Sequence, residues 1–309
     1  METYIFMLLS AFVLFVIIYI YVIISSQTNK CNLIDNIEYS DFIVPSVDIS
    51  NIPIKRILFK SAYNCCCIGG MKNDYVDLCA LKNCYRAGVR VLDFQVFSLN
   101  HNPVISASTV NQNEYKELYN YLSFTETMKH VNNSFLNSNI HKNNNEVLFL
   151  NFRVNSNNLK IYDKMASILI DTFTGGHEIL SNVKIHKDLN LYTLGDLKNK
   201  IIIMVDLNAS PKMKNSFVKT ELSKIALVQF GSSSKYHSLH ENQASLQAGV
   251  ELSAIYPTKT AHSNNYDSIQ KGINNSFNFV FMNFQKKDSY LTNYLDSFKD
   301  SSSFQIQYN

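Results

Sequence analysis

The chain has 309 residues, 46% hydrophobic and 17% charged, with 28 Lys and Arg against 25 Asp and Glu for a formal net charge of +3. That length suits one large α/β domain or two small ones, and the apolar fraction excludes wholesale disorder. Nine Gly and five Pro exclude collagen-like and low-complexity chains, and so small a charge without Lys/Arg runs gives no case for a nucleic-acid partner. Trp is absent and Asn abundant, a bias seen in AT-rich genomes such as those of large DNA viruses and some protists.

Residues 4–24 carry no charge, and Ser10 is their only polar side chain apart from the tyrosine hydroxyls. As a helix they would rise about 31 Å, enough for a bilayer core of about 30 Å. Tyr4, Tyr19 and Tyr21 lie toward the ends, where interfacial aromatics belong. A cleaved signal peptide would need a basic start, a shorter apolar core and a small-x-small site. Here the start holds Glu2 and neither Lys nor Arg. Residues 1–25 are therefore expected to be the uncleaved anchor of a single-pass membrane protein, with 26–50 a polar stalk and 51–309 one folded domain. Lys30 after the span and Glu2 before it favour a cytoplasmic C-terminal side, a bias diluted by Asp35, Glu38 and Asp41.

Six cysteines follow: Cys31, Cys65, Cys66, Cys67, Cys79 and Cys84. An even count beyond an anchor permits disulfides, although Cys65, Cys66 and Cys67 cannot readily pair among themselves. Cys79 and Cys84 fall on a neighbouring helix. No His is interleaved at zinc spacing, which disfavours a metal cluster. Reduced buried thiols and one or two disulfides both stay open. Sequons at Asn132, Asn208 and Asn274 are expected by chance in so Asn-rich a chain.

Strand-like and helix-like segments alternate from residue 52. Residues 54–60 are short and apolar. Helical spacing runs over 74–87 and is closed by Gly88. Residues 89–97 and 103–106 are β-rich, and 114–135 reads as a long helix. An Asn-rich loop at 137–146 precedes a strand at 147–154. An amphipathic helix at 159–173 ends before Gly175-Gly176. The unbroken apolar run 201–205 fits a buried parallel strand. Strands at 225–230, 251–255 and 277–284 and a closing helix at 290–298 complete the list. This alternation suggests a (β/α) barrel or a doubly wound sheet.

Short strings in order carry a resemblance. Ser61-Ala62-Tyr63-Asn64 is similar to S-S-H-N, and Arg90-Val91-Leu92-Asp93-Phe94-Gln95 to R-x-L-E-L-D. Pro103-Val104-Ile105-Ser106-Ala107 is similar to P-x-V-x-H. Leu194-Gly195-Asp196-Leu197 opens a string resembling the end of the same box. Ser253-Ala254-Ile255-Tyr256-Pro257 is similar to S-R-I-Y-P, Ser263-Asn264-Asn265-Tyr266 to S-S-N-Y, and 279–285 to M-V-A-L-N-F-Q. Together they resemble the X and Y boxes of the phosphatidylinositol-specific phospholipase C superfamily, X-like over about 55–206 and Y-like over about 225–300. The resemblance implies a distorted TIM barrel, two catalytic His residues, a Ca²⁺ ion and basic residues gripping ring phosphates.

Position by position, that chemistry is depleted. The first His position is Tyr63, whose phenol ordinarily titrates near pH 10, and the second is Ala107, which transfers no proton. Asn64 matches the metal-binding Asn, while the Glu and Asp ligands align with Asp93 and Gln95. The last carboxylate falls near Arg153, which has the wrong sign. Ca²⁺ needs several oxygens and enough negative charge, so no cofactor is expected and Ca²⁺ is disfavoured. Met204 and Asp206 stand at the two Lys positions and Ala254 at the Arg position. Ser238 and Tyr256 match the phosphate-contacting Ser and the ring-stacking Tyr. His101 beside Asp93 is the weak substitute pair, with His240 and His262 behind it. The expectation is a membrane-anchored, non-catalytic barrel that serves as a structural, docking or lipid-headgroup-binding protein, with a phospholipid headgroup or a protein as partner. The alternative is a phosphoric diester hydrolase with a rewired site.

Overall fold

The computed structural model describes residues 2–39, 50–110, 114–136, 146–174, 177–181, 189–231, 236–243, 251–298 and 303–307. The Asn-rich loop up to residue 145, Gly175-Gly176 and residues 40–49 of the stalk lie outside the described residues.

Eight strands form the centre of the domain: β1 (Ile57–Ala62), β2 (Val91–Leu99), β3 (Leu148–Val154), β4 (Lys200–Asp206), β5 (Ala226–Phe230), β6 (His237–His240), β7 (Ser253–Tyr256) and β8 (Phe279–Met282). They pair in the order β5–β4–β3–β2–β1–β8–β7–β6, and every pair is parallel. Among the described residues no pairing joins β5 to β6, so the sheet curls into an α/β barrel with one open seam. The apolar run of β4 is buried from Ile201 through Asp206, as a parallel strand covered on both faces requires. Phe59, Phe149, Phe230 and Phe279 fill the interior, with ring centroids between 4.8 and 6.5 Å apart.

Helices α1 (Glu2–Asp35), α2 (Cys79–Arg86), α3 (Phe124–Val131), α4 (Leu159–Thr172) and α5 (Ser289–Asp296) flank this sheet or precede it. Lys60 of β1 is buried, donates to the Ala87 carbonyl at 2.9 Å and lies 5.0 Å from the Phe298 ring centre. Burial pushes its ammonium down to about 7. The Asn265 side chain brackets Asn283 beyond β8, accepting from its N–H at 2.7 Å and donating to its carbonyl at 3.0 Å. The S-S-N-Y-like string therefore braces the barrel wall.

Three helical expectations change. Within 74–87 only α2 is helical, because Val76 bridges to Cys67 and the Asn120 side chain takes both its N–H and its carbonyl. Within 114–135 the helix begins only at Phe124, capped by Ser123. Upstream, the Glu117 and Tyr119 N–H groups donate to the Ala107 and Asp74 carbonyls, which strips that segment of helical bonding. The third change concerns the first half of the stalk, which continues α1 to Asp35 and packs on the barrel. Gln27 donates to Asp77 at 2.7 Å, Lys30 pairs with Asp74 at 2.6 Å, and Ile34 packs with Ile68, Tyr75 and Ala80. Cys31 and Cys79 form a disulfide, while Cys65, Cys66, Cys67 and Cys84 are buried thiols. Strand β6 had no counterpart in the hydropathy pattern, because its four residues include His237 and His240.

Candidate functional site

Parallel register assembles the barrel mouth. Asp93 on β2 sits beside Asn151 on β3, and Asn151 sits beside Met204 on β4. Side chains two apart on a strand share a face, so Arg153 follows Asn151 and Asp206 follows Met204 into the same mouth. Tyr63 and Asn64 arrive from the turn after β1, where Asn64 adopts a left-handed φ of 44° that Asn tolerates.

These residues converge on the Arg153 guanidinium. Its Nε donates to Asp93 Oδ1 at 2.9 Å and one Nη to Asp93 Oδ2 at 2.6 Å, a two-point ion pair. The same Nη reaches Asn64 Oδ1 at 2.6 Å, and the other donates to the Tyr63 hydroxyl at 3.0 Å. The guanidinium carbon lies 4.3 Å from the Tyr63 ring centre and 5.6 Å from that of Tyr256. Asp93 is 0% and Arg153 2% exposed, so the pair is shielded from water. Asp93 also accepts from the Asn64 N–H at 2.9 Å and from Asn151 Nδ2 at 2.8 Å. Oδ1 of Asn151 is buried without a hydrogen-bond partner. Burial alone would lower the Arg153 pKa, but the Asp93 charge and the bonds to it more than offset this, and the net shift is upward. Burial pushes the Tyr63 phenol up to about 12.

Asn64 and Asp93 are thus brought together, and Gln95 is not. Gln95 spends its amide on residue 108, accepting from the Ser108 N–H at 2.6 Å and donating to its carbonyl at 3.2 Å. Ala107 is fully buried. His101 sits on an exposed turn, with a ring nitrogen 2.9 Å from Asn158 Nδ2, away from the Asp93 carboxylate and its partners. His262 is exposed.

Beside the cluster, a pocket of about 300 Å³ opens between the C-terminal end of β4 and β6. Ser238 and Tyr256 both line it, as do Asp206, His240 and Lys259, with Arg153 at its edge. Tyr256 stacks on Phe281 at 4.7 Å and accepts from Asn151 Nδ2 at 3.0 Å. Ser238 donates to Asp206 at 2.9 Å and accepts from Asn208 Nδ2 at 2.9 Å. Burial raises the Asp206 pKa. Burial, then the Arg153 charge, pushes the Lys259 ammonium down to about 8. Burial lowers the His240 imidazole to about 4, while its Nδ1 meets the Pro257 carbonyl at 2.9 Å. Sequence reasoning missed Asn151, Asn208 and Lys259. Asn151 could have been found from strand alternation, two residues before Arg153. Lys259 could have been found as a cation three residues beyond the aligned Tyr256.

No family description and no curated protein matches the sequence. Solved structures do match in fold. PLC21 of S. officinalis aligns with 84% of this chain at a TM-score of 0.60 and 16% identity, and PLC21 of L. pealei with 88% at 0.62 and 16%. The alignments cover 37% and 39% of those proteins, so the chain spans well under half their length. A calcium-dependent phosphoinositol-specific phospholipase C from Pseudomonas sp., in its myoinositol complex, aligns over 87% of this chain and 100% of its own, at a TM-score of 0.55 and 10% identity. The barrel shares its fold with these phospholipase C structures. The chain carries this barrel behind one N-terminal helix long and apolar enough to cross a membrane.

Proposed function

We propose that this chain is a membrane-anchored phospholipase-C-like barrel that does not run the superfamily's reaction and instead holds a phosphate-bearing headgroup at its mouth. The observation that carries this reading is Arg153, whose guanidinium is engaged by the Asn64 and Asp93 oxygens that the resemblance would give to Ca²⁺. The cluster does not fit that ion. Its one carboxylate is already paired, the guanidinium brings a positive charge, and Asn151 Oδ1 is a buried oxygen there without a partner. Proton transfer is missing as well. Tyr63 stays a protonated phenol at neutral pH, Ala107 carries no proton, and one general acid or base is worth about 10²–10⁴ in rate.

The neighbouring pocket suits an anion. The described residues give the Lys259 ammonium no ion-pair or hydrogen-bond partner, and Asn208 Nδ2 keeps one N–H beyond the one it gives Ser238, whose own hydroxyl is spent on Asp206. The alternative, a rewired phosphodiesterase, would rest on His240, whose Nε2 keeps a lone pair if Nδ1–H donates to Pro257. A base pushed down to about 4 is a weak proton acceptor at neutral pH, which favours binding over turnover. The anchor reading rests on α1, and the Cys31–Cys79 bridge supports a barrel on the oxidising side of the membrane.

The test is a mixed-micelle assay of the full chain with phosphatidylinositol and calcium. No release of soluble inositol phosphate above the protein-free rate is expected. Calcium-dependent release overturns the reading.

A further inference from the structure

The three Asn-x-Ser sequons, at Asn132, Asn208 and Asn274, all fall on the barrel. Such a string accepts an N-linked oligosaccharide on the translocated side of a membrane, and the sugar then needs an amide that stands in open solvent. The sequence treats the three alike, and the fold does not.

The sequon of Asn208 is spent on the mouth. Asn208 Nδ2 donates to Ser238 at 2.9 Å, and the buried Ser210 hydroxyl donates to the Val154 carbonyl. Asn208 also lines the pocket, so a sugar there would fill it. Asn132 is half-buried just beyond α3, where the Ser134 hydroxyl meets the His130 ring at 3.4 Å and Phe135 and Leu136 turn into the core.

Asn274 differs from both. It is exposed, in the turn Ile273–Asn275 that precedes β8. Its neighbours make the bonds of that turn. Asn275 Nδ2 donates to the Gln270 and Lys271 carbonyls at 2.9 and 3.2 Å. Ser276 takes a left-handed φ of 62°, and its N–H donates to the Ile273 carbonyl at 2.9 Å. Among the described residues the Asn274 amide has no hydrogen-bond partner. The mouth lies at the C-terminal ends of the parallel strands, whereas Asn274 leads toward the N-terminal end of β8. A sugar on this turn therefore stands clear of the pocket. The Cys31–Cys79 bridge belongs to an oxidising compartment, which is where sequons are modified.

We propose that Asn274 is the N-glycosylation site of this chain. This rests on the reading of α1 as an anchor with the barrel on the oxidising side of the membrane. The donor is a lipid-linked oligosaccharide pyrophosphate, brought by a transferase of that compartment. Asn274 Nδ2 forms the bond to the sugar C1, and the C1–oxygen bond to the pyrophosphate breaks. The lipid pyrophosphate leaves with the electron pair, and the amide proton passes to the transferase. The product is a hydrated cover on the barrel wall that leaves the mouth open.

The test is translation of the full chain with endoplasmic-reticulum microsomes, read by gel mobility with and without an endoglycosidase. Protease added outside the vesicles reports the side of the barrel. The Cys31–Cys79 bridge, seen on a non-reducing gel, selects folded molecules. One glycan is expected on the bridged, protected chain, lost in Asn274→Gln and in Ser276→Ala and kept in Asn132→Gln and Asn208→Gln. Ser276→Ala keeps the Asn274 amide and removes only the hydroxyl of the sequon, so agreement between the two variants marks a lost acceptor. A bridged, protected chain with no glycan, or with one that survives Asn274→Gln, overturns the proposal and leaves the orientation standing. If the outside protease digests the barrel, the orientation reading fails and this proposal falls with it.

Discussion

Replacing Arg153 with alanine removes a guanidinium that makes four hydrogen bonds in a site closed to water. Asp93, with 0% of its surface exposed, keeps the Asn64 N–H and the Asn151 amide but loses its countercharge. Breaking a buried pair from one side costs about 3–5 kcal/mol, because a charge is left uncompensated. For a domain of this size each kcal/mol lowers Tm by roughly 2–4 °C, so a fall of roughly 6–20 °C is expected by thermal unfolding of the full chain in detergent. The double variant Arg153→Ala/Asp93→Asn should lose less than Arg153→Ala alone, since the orphaned charge goes as well. The emptied space also returns Asp93, Asn64 and the free oxygen of Asn151 to an incoming cation. Millimolar calcium should therefore raise the Tm of Arg153→Ala and leave the wild type unmoved. A drop below about 2 °C, or losses that simply add in the double variant, would refute the reasoning, because a surface pair behaves that way.

Lys259→Met should weaken binding of inositol 1-phosphate to the full chain, measured by titration calorimetry at pH 7. With its ammonium pushed down to about 8, wild-type binding should also weaken between pH 7 and 9 as the cation is lost, a trend the variant lacks. Lys60 acts on stability. Its folded pKa of about 7 lies below its unfolded value, so the unfolded chain binds more protons between those limits and Lys60 contributes a stability gain as pH rises from about 7 toward 10. Lys60→Met should remove that slope in denaturant unfolding, and an unchanged slope would count against the burial argument. The Cys31–Cys79 bridge closes a separation of 48 residues, which the chain-entropy account values at roughly 4 kcal/mol. Cys31→Ser should lower Tm and make residues near α1 easier to proteolyse, and equal protease resistance would count against a fixed helix.

The strand framework was legible because parallel strands buried on both faces print as apolar runs, as in Ile201–Val205. The segment before α3 was not legible. Its apolar spacing suits a helix, yet its N–H groups are committed to residues about ten and forty-five positions away, contacts that hydropathy does not encode. At the mouth, alignment to family strings found Tyr63, Asn64, Asp93 and Arg153, and the wrong sign of Arg153 was already visible. Alignment did not show that Asn64 and Asp93 grip that very side chain, because their meeting depends on the β2–β3 register. Gln95 illustrates the opposite case. Its place in the string suggested a metal ligand, but its amide is spent on the Ser108 backbone. Lys259 escaped because it belongs to no string, although it is a cation of the pocket.

The central claim is that a resident guanidinium stands where the superfamily resemblance would place calcium. An anomalous-difference map of the barrel mouth, from crystals of the full chain grown with millimolar calcium, tests it most directly. The account predicts the Arg153 guanidinium within hydrogen-bond distance of Asp93 and Asn64, with no anomalous peak between them. A calcium peak coordinated by Asn64 and Asp93, with Arg153 turned away, would contradict it.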